Sequence, residues 1–365
     1  MARPNPFTPN FGSEPLVMAG REEIIAGMDR AFRNGPGDPR LTSIFIGARG
    51  TGKTALLNAV PHIAANYGWV CASATALPGM QEDLFQRARS QASEFLEPAR
   101  SSRLTGVSIG GALGLEWENR DQGLGNWRTK MYGILDVLEE HGSGLLFTVD
   151  EVTSSIDEMI LFAATFQHFV RENRRVALLM AGLPNNISSL LSNKSASFLR
   201  RSKQYRLKRI SDADIARAML QTVNDGGRSI DCDALNAAVA ASGGFPYMMQ
   251  LVGFNMWEAH PNADAIVIDD VEEGIAMAAQ DMRSGVFAST LTDLSEGDIA
   301  FLRAMLPDEK VSLMKEITNR MGVTSSYASQ YRLRLIDQGV IGERGRGRVA
   351  FEIPGFSDYL REVLL

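Results

Sequence analysis

The chain has 365 residues, 45% hydrophobic and 22% charged, which suits two or three globular domains of roughly 150 residues each and excludes extended disorder. Two cysteines far apart (Cys71 and Cys232) and four scattered histidines offer no disulfide framework and no zinc-site spacing. No signal peptide and no run of 18 apolar residues is recognisable, so no membrane partner and a cytoplasmic, reducing setting are expected.

Along the first 210 residues, short apolar runs alternate with segments of helical period. Helical patterns lie at about 21–34, 53–66, 80–97, 127–141 and 156–173. The runs 42–47, 69–75, 145–149 and 176–181 read as strands, and most are apolar enough to be buried on both faces of a parallel sheet. The alternation predicts an α/β layer fold. Pro61 falls inside the second helix and is expected to kink or end it. Residues 103–118 alternate like strands around Gly110-Gly111, so 98–126 reads as an inserted hairpin or a mobile flap. From 211 to about 287 the pattern is wholly helical, broken at Asp225-Gly226-Gly227, Gly243-Gly244 and Pro261. After a linker near 289–293, helices at 296–306, 311–321 and 324–338 precede a glycine-punctuated ribbon at 339–353, the order of a winged helix-turn-helix. The expected domains are therefore 1–210, 211–288 and 289–365.

Gly47-Ala48-Arg49-Gly50-Thr51-Gly52-Lys53-Thr54 matches the P-loop pattern in full. Glycines let successive backbone N–H groups turn towards phosphate oxygens, Lys53 neutralises the β- and γ-phosphates, and the Thr54 hydroxyl suits Mg²⁺. The helix that follows aims its positive N-terminus at the same anion. A second acidic site is expected at the end of an apolar strand, and 144–149 leads into Asp150-Glu151. Asp150 would hold Mg²⁺ through water, and Glu151 would act as general base on the attacking water. Together these motifs point to nucleoside-triphosphate hydrolysis.

With these motifs the sequence resembles the AAA+ ATPases, most closely the archaeal-type ATPases and the origin-recognition initiators. That resemblance implies a P-loop core, an all-helical lid and a C-terminal winged helix. It implies that Val17-Met18-Ala19-Gly20-Arg21-Glu22-Glu23 lines the adenine pocket through Gly20 and Arg21. It makes Asn185 the γ-phosphate sensor and Arg200 or Arg201 an arginine finger, within a homo-oligomer that forms on ATP. The lid departs from the initiator pattern: where a Gly-x-x-Arg segment is usual, this chain has Gly243-Gly244-Phe245-Pro246. A Gly-Gly-x-Pro lid resembles the signal-transduction (STAND) ATPases, implies that Pro246 packs near the nucleotide, and suits slow, switch-like turnover.

The formal charge of −6 is unevenly spread. Residues 194–209 carry seven bases and no acid, and residues 310–348 carry eight bases against three acids. An acidic body with two basic patches suits a protein that meets phosphate at defined places. On the proposed recognition helix, Ala328, Tyr331 and Leu335 share a face expected to be buried. Ser325, Ser326, Ser329, Gln330 and Arg332 or Arg334 are left for a DNA groove. The wing would present Arg344, Arg346 and Arg348 to phosphates of double-stranded DNA. Two readings follow: an ATPase whose nucleotide state controls DNA binding, or a STAND-like signalling or defence switch whose winged helix contacts protein or autoinhibits.

Overall fold

The computed structural model describes residues 3–10, 12–96, 127–153 and 157–365. The hairpin expected within 98–126 lies outside them. The described residues form two compact units: one of Glu23–Ile46 and Leu56–Arg206, the other of Met1–Glu22, Gly47–Ala55 and Leu207–Leu365.

The first unit is built on a five-stranded parallel sheet in the order β2-β3-β4-β1-β5, with β1 Thr42–Ile46, β2 Trp69–Thr75, β3 Gly144–Asp150, β4 Val176–Gly182 and β5 Lys203–Arg206. Every residue of β4 is buried, and only Asp150 of β3 is not, which is why both read as unbroken apolar runs. Helices α1 (Glu22–Asn34), α2 (Lys53–Ala65), α3 (Met80–Leu96), α4 (Trp127–Glu140), α5 (Asp157–Arg171) and α6 (Pro184–Ser192) accompany the sheet. A cluster of rings, Trp127, Phe147, Phe162, Phe166 and Phe169, joins α4 and α5 to β3. Pro61 does not end α2, which continues to Ala65. Its neighbours Leu56, Leu57, Val60 and Ala64 are buried, and four such side chains outweigh the roughly 3 kcal/mol cost of an interior proline.

β5 is the tail of the basic run and the exposed edge of the sheet. Three of its four residues are charged or amide, so no apolar period announces it.

The second unit begins its helical part with α7 (Asp212–Asp225), capped by Ser211, whose hydroxyl accepts from the Asp214 N–H. α8 (Cys232–Ser242), α9 (Pro246–Ala259) and α10 (Ile268–Met282) follow, with a short parallel pair, β6 Ser229–Ile230 and β7 Ala265–Ile266. The Gly243-Gly244-Phe245-Pro246 segment has a structural reason. Gly243 ends α8 at φ +55°, Gly244 reverses the chain at φ +80°, and Pro246 occupies the first turn of α9. A Cβ at Gly244 would stand 2.9 Å from that of Arg209.

A π turn and α11 (Ala288–Thr292) lead to α12 (Glu296–Met305), α13 (Met314–Met321) and α14 (Ser325–Asp337). Three short strands, β8 Ser312–Leu313, β9 Ile341–Glu343 and β10 Arg348–Phe351, close an antiparallel sheet in the order β8-β10-β9, and α15 (Phe356–Leu364) follows. Three helices followed by a small antiparallel sheet is the element order that the sequence led us to expect here. Ala328 and Leu335 are buried, as their spacing predicts, while Tyr331 is half-buried with its ring over Gly297. The helix expected at 311–321 starts at Met314, because Ser312 and Leu313 pair with β10. No helix among the described residues is long and apolar enough to cross a membrane.

Candidate functional site

The P-loop belongs to the second unit. Gly50 (φ +75°) and Gly52 (φ +84°) take left-handed conformations that a side chain would strain. Gly47 is pinned differently: a Cβ there would lie 2.6 Å from the Thr51 hydroxyl and 3.1 Å from the Leu207 carbonyl. The Thr51 hydroxyl donates to the Ala48 carbonyl at 2.8 Å. The buried ammonium of Lys53 donates to the Gly47 and Ala48 carbonyls at 3.1 and 2.9 Å. Its positive charge is thus held inside the turn, where a phosphate anion would draw it. Thr54 is half-buried in the first turn of α2.

Two segments of the same unit adjoin this loop. Arg21 donates to the carbonyls of Gly20, Thr51 and Lys208, each at 3.2 Å. Burial lowers the affinity of this guanidinium for its proton, opposed by Glu22 and Asp214. Arg21 therefore ties the N-terminal segment to the P-loop and to the start of the helical part. Gly20 (φ +62°) makes the turn before it. From the start of α9, the Phe245 ring lies against Gly50 and Pro246 against Gly52, at 3.6 and 3.8 Å from where a Cβ would sit. A mostly apolar cavity opens between Val17, Met18, Thr51, Gly52, Pro246 and Gln250.

In the first unit, β1 and β3 both pair in parallel with β4, so Ile46 and Asp150 lie at the same edge of the sheet. Asp150 accepts the Glu151 N–H at 2.8 Å, and its own carbonyl accepts from Ala76. Glu151 is exposed and holds φ +51°, one of two non-glycine residues in the left-handed region among those described. That strain is sustained by its neighbours, for the Val152 N–H is held by the Ala181 carbonyl at 2.9 Å. Asn185 is exposed in the first turn of α6, directly after β4. Arg200 and Arg201 close a 3-10 segment and are exposed, Arg200 donating to the Leu191 carbonyl at 2.7 Å.

In the C-terminal part, Ser325, Ser326 and Gln330 are exposed on α14, while Ser329 and Arg332 are half-buried. Several cations there are already partnered: Arg332 with Glu343 at 3.5 Å, Arg334 with the buried Asp298, and Arg344 with Glu352 at 2.6 Å. Arg346 and Arg348 are exposed and make no ion pair among the described residues. The turn after α14 meets the P-loop, with Gly339 (φ +71°) against Ala48 and the Arg49 N–H. The exposed Arg49 faces Asp293 at 3.8 Å.

Two features escaped the sequence reading. One is Arg209, whose guanidinium lies over the Phe245 ring, donates to the Glu352 carbonyl at 2.8 Å and pairs with the Glu352 carboxylate at 3.3 Å. The other is the N-terminal strap. Asn5 donates to the Phe254 carbonyl, Phe7 is buried against Gly253, and the Thr8 N–H donates to Gln250. A glycine within an otherwise apolar helix was the available signal, but its partner lies some 250 positions away.

A family profile described as a domain of unknown function (DUF8462) matches residues 284–360. No curated protein matches the chain. Among solved structures it is similar to the Walker-type ATPase PABY2304 of Pyrococcus abyssi, at 15% identity and TM-score 0.66, over 94% of this chain and 96% of that one. It is also similar to the ORC2 protein of Aeropyrum pernix in ADPNP–ADP complexes, at 14% identity and TM-score 0.64, over 97% of this chain and 95% of that one. At such identities the likeness is one of fold: that of the archaeal ORC and Walker-type ATPases.

Proposed function

We propose that the chain binds and hydrolyses ATP as an AAA+ switch, and that its nucleotide state governs engagement of double-stranded DNA by the winged helix. One observation carries this reading: within one unit, the lid residues Phe245 and Pro246 and the winged-helix residue Gly339 all lie on the P-loop, at Gly50, Gly52 and Ala48. A phosphate that reshapes this loop must disturb both partners. In this reading 1–210 is the ATPase core, 211–288 the lid and 289–365 the winged helix.

Lys53 exchanges its carbonyl partners for β- and γ-phosphate oxygens, and the backbone of Gly50, Thr51 and Gly52 cradles the remainder. Bound Mg²⁺ supplies charge neutralisation, and the hydroxyl of Thr54 and the carboxylate of Asp150 are the hard oxygen donors that suit it. Glu151 orients and deprotonates water, Asn185 senses the γ-phosphate, and Arg200 or Arg201 reaches a neighbouring copy in an ATP-dependent homo-oligomer. Hydrolysis is slow. On DNA, Arg346 and Arg348 take phosphates, and Ser325, Ser326 and Gln330 meet base edges. The test is duplex affinity measured with ATP and with ADP for wild type and Glu151→Gln. Affinity and stoichiometry that ignore the nucleotide would remove the coupling.

A second reading is favoured by the seat of Gly339 on the P-loop and by the internal pairing of Arg344. Here the winged helix is an intramolecular clamp of a STAND-like signalling or defence switch. It predicts ADP retained through purification and weak DNA affinity. Nucleotide released on denaturation decides between them.

A further inference from the structure

Gln250 lies in the second turn of α9 at 7% exposure and lines the cavity beside Thr51 and Gly52. Its carboxamide cannot flip freely. The oxygen accepts the backbone N–H of Thr8 at 2.9 Å, and a flip would set its –NH₂ against that fixed donor. Thr8 is itself immobilised by the strap. Asn5 caps the Phe7 N–H at 3.1 Å and donates to the Phe254 carbonyl at 3.1 Å. Phe7 fills the space over Gly253, where a Cβ would come within 2.3 Å of its ring. The amide is thereby held with its oxygen spent and its two N–H donors without an acceptor among the described residues.

We propose that Gln250 selects the base of the bound nucleotide, offering an oriented donor that fits the ring-nitrogen acceptor N1 of adenine. This rests on the proposed nucleotide site at the P-loop, with the base seated in the adjoining cavity. Guanine carries N1–H at that position, so two donors would face each other beside the largely buried Gln250. A freely turning glutamine would accept either base; one whose oxygen is held by Thr8 accepts only adenine. Discrimination by an unmatched buried polar group is far stronger than by shape alone.

The experiment is competition against a fluorescent ATP analogue with ATP, GTP, 1-deaza-ATP and 7-deaza-ATP. Wild type should bind GTP and 1-deaza-ATP about tenfold or more weakly than ATP, and 7-deaza-ATP like ATP, as loss of one buried hydrogen bond implies. Gln250→Leu should erase the difference between ATP and 1-deaza-ATP. Gln250→Glu, which still accepts the Thr8 N–H but offers acceptors to the base, should shift the preference towards GTP. Wild type that binds 1-deaza-ATP as tightly as ATP overturns the inference even if neither variant folds, and leaves the ATP site standing. Wild type that binds none of the four overturns both.

Discussion

Gly339, in the turn leaving α14, sits directly on Ala48 of the P-loop: a Cβ at Gly339 would stand 2.8 Å from the Cβ of Ala48 and 3.1 Å from the Arg49 nitrogen. With φ at +71°, any other L-residue is strained there as well. Gly339→Ala should cost about 1–3 kcal/mol from strain and displacement. It should also shrink the difference between ATP and ADP in duplex affinity. Thermal denaturation and electrophoretic shift check both, and an unchanged melting temperature would contradict so close a seat.

Glu352 is shared, one oxygen taking Arg344 at 2.6 Å and the other Arg209 at 3.3 Å. Glu352→Gln should free Arg344 for phosphate and make the log–log salt slope of duplex binding steeper by about one. Replacing Arg346 and Arg348 by Ser should make it shallower by roughly two. Slopes that do not move in these opposite directions would rule out the wing as the phosphate contact.

The roles proposed for Lys53 and Glu151 separate binding from chemistry. Lys53→Ala should abolish ATP binding in equilibrium titration. Glu151→Gln should leave affinity near wild type and lower turnover by about 10²–10⁴-fold, the range for a lost general base. A Glu151→Gln protein that hydrolyses normally would reassign the base.

His260 caps the helical part by pairing with the buried carboxylate of Asp270, which also accepts the Val267 N–H at 2.9 Å. The hydrogen bond that the imidazole donates to Asp270 raises it above its ordinary value of 6.5, the charges of Asp270 and Glu273 add to this, and burial and Arg228 oppose it. A raised histidine contributes stability that is complete below the unfolded value and lost as pH rises through the folded one. Wild type should therefore exceed His260→Gln in melting temperature below about pH 6.5 and lose that advantage at higher pH. A pH-independent difference would discard the pairing.

Phe7→Ala should cost about 3–5 kcal/mol, as for other buried aromatic truncations. If the strap orients Gln250, the same change should weaken the preference for ATP over GTP, read in the same competition assay. Stability lost with selectivity intact would separate the strap from the base.

Much of this was legible before any coordinates. The P-loop, the acidic end of β3 and the two buried strands are local patterns, each set by the backbone period or by conformations only glycine adopts cheaply. Gly243-Gly244-Phe245-Pro246 was visible as a motif, although its backbone role, two left-handed residues and a helix start, was not. β5 was hidden because an exposed edge strand needs no apolar pattern, and its charges drew a surface reading instead. Short β8 exists only through its pairing with β10.

The sequence by itself determined the P-loop pattern, the acidic end of β3 and the order of α/β and helical parts, because those follow from neighbours along the chain. Tertiary structure alone decided that Gly339 rests on the P-loop, that Arg209 and Arg344 divide one carboxylate, and that Thr8 turns the amide of Gln250. Each of those joins residues from about 140 to 290 positions apart or turns on which partner a side chain finds, and only packing in three dimensions makes that choice.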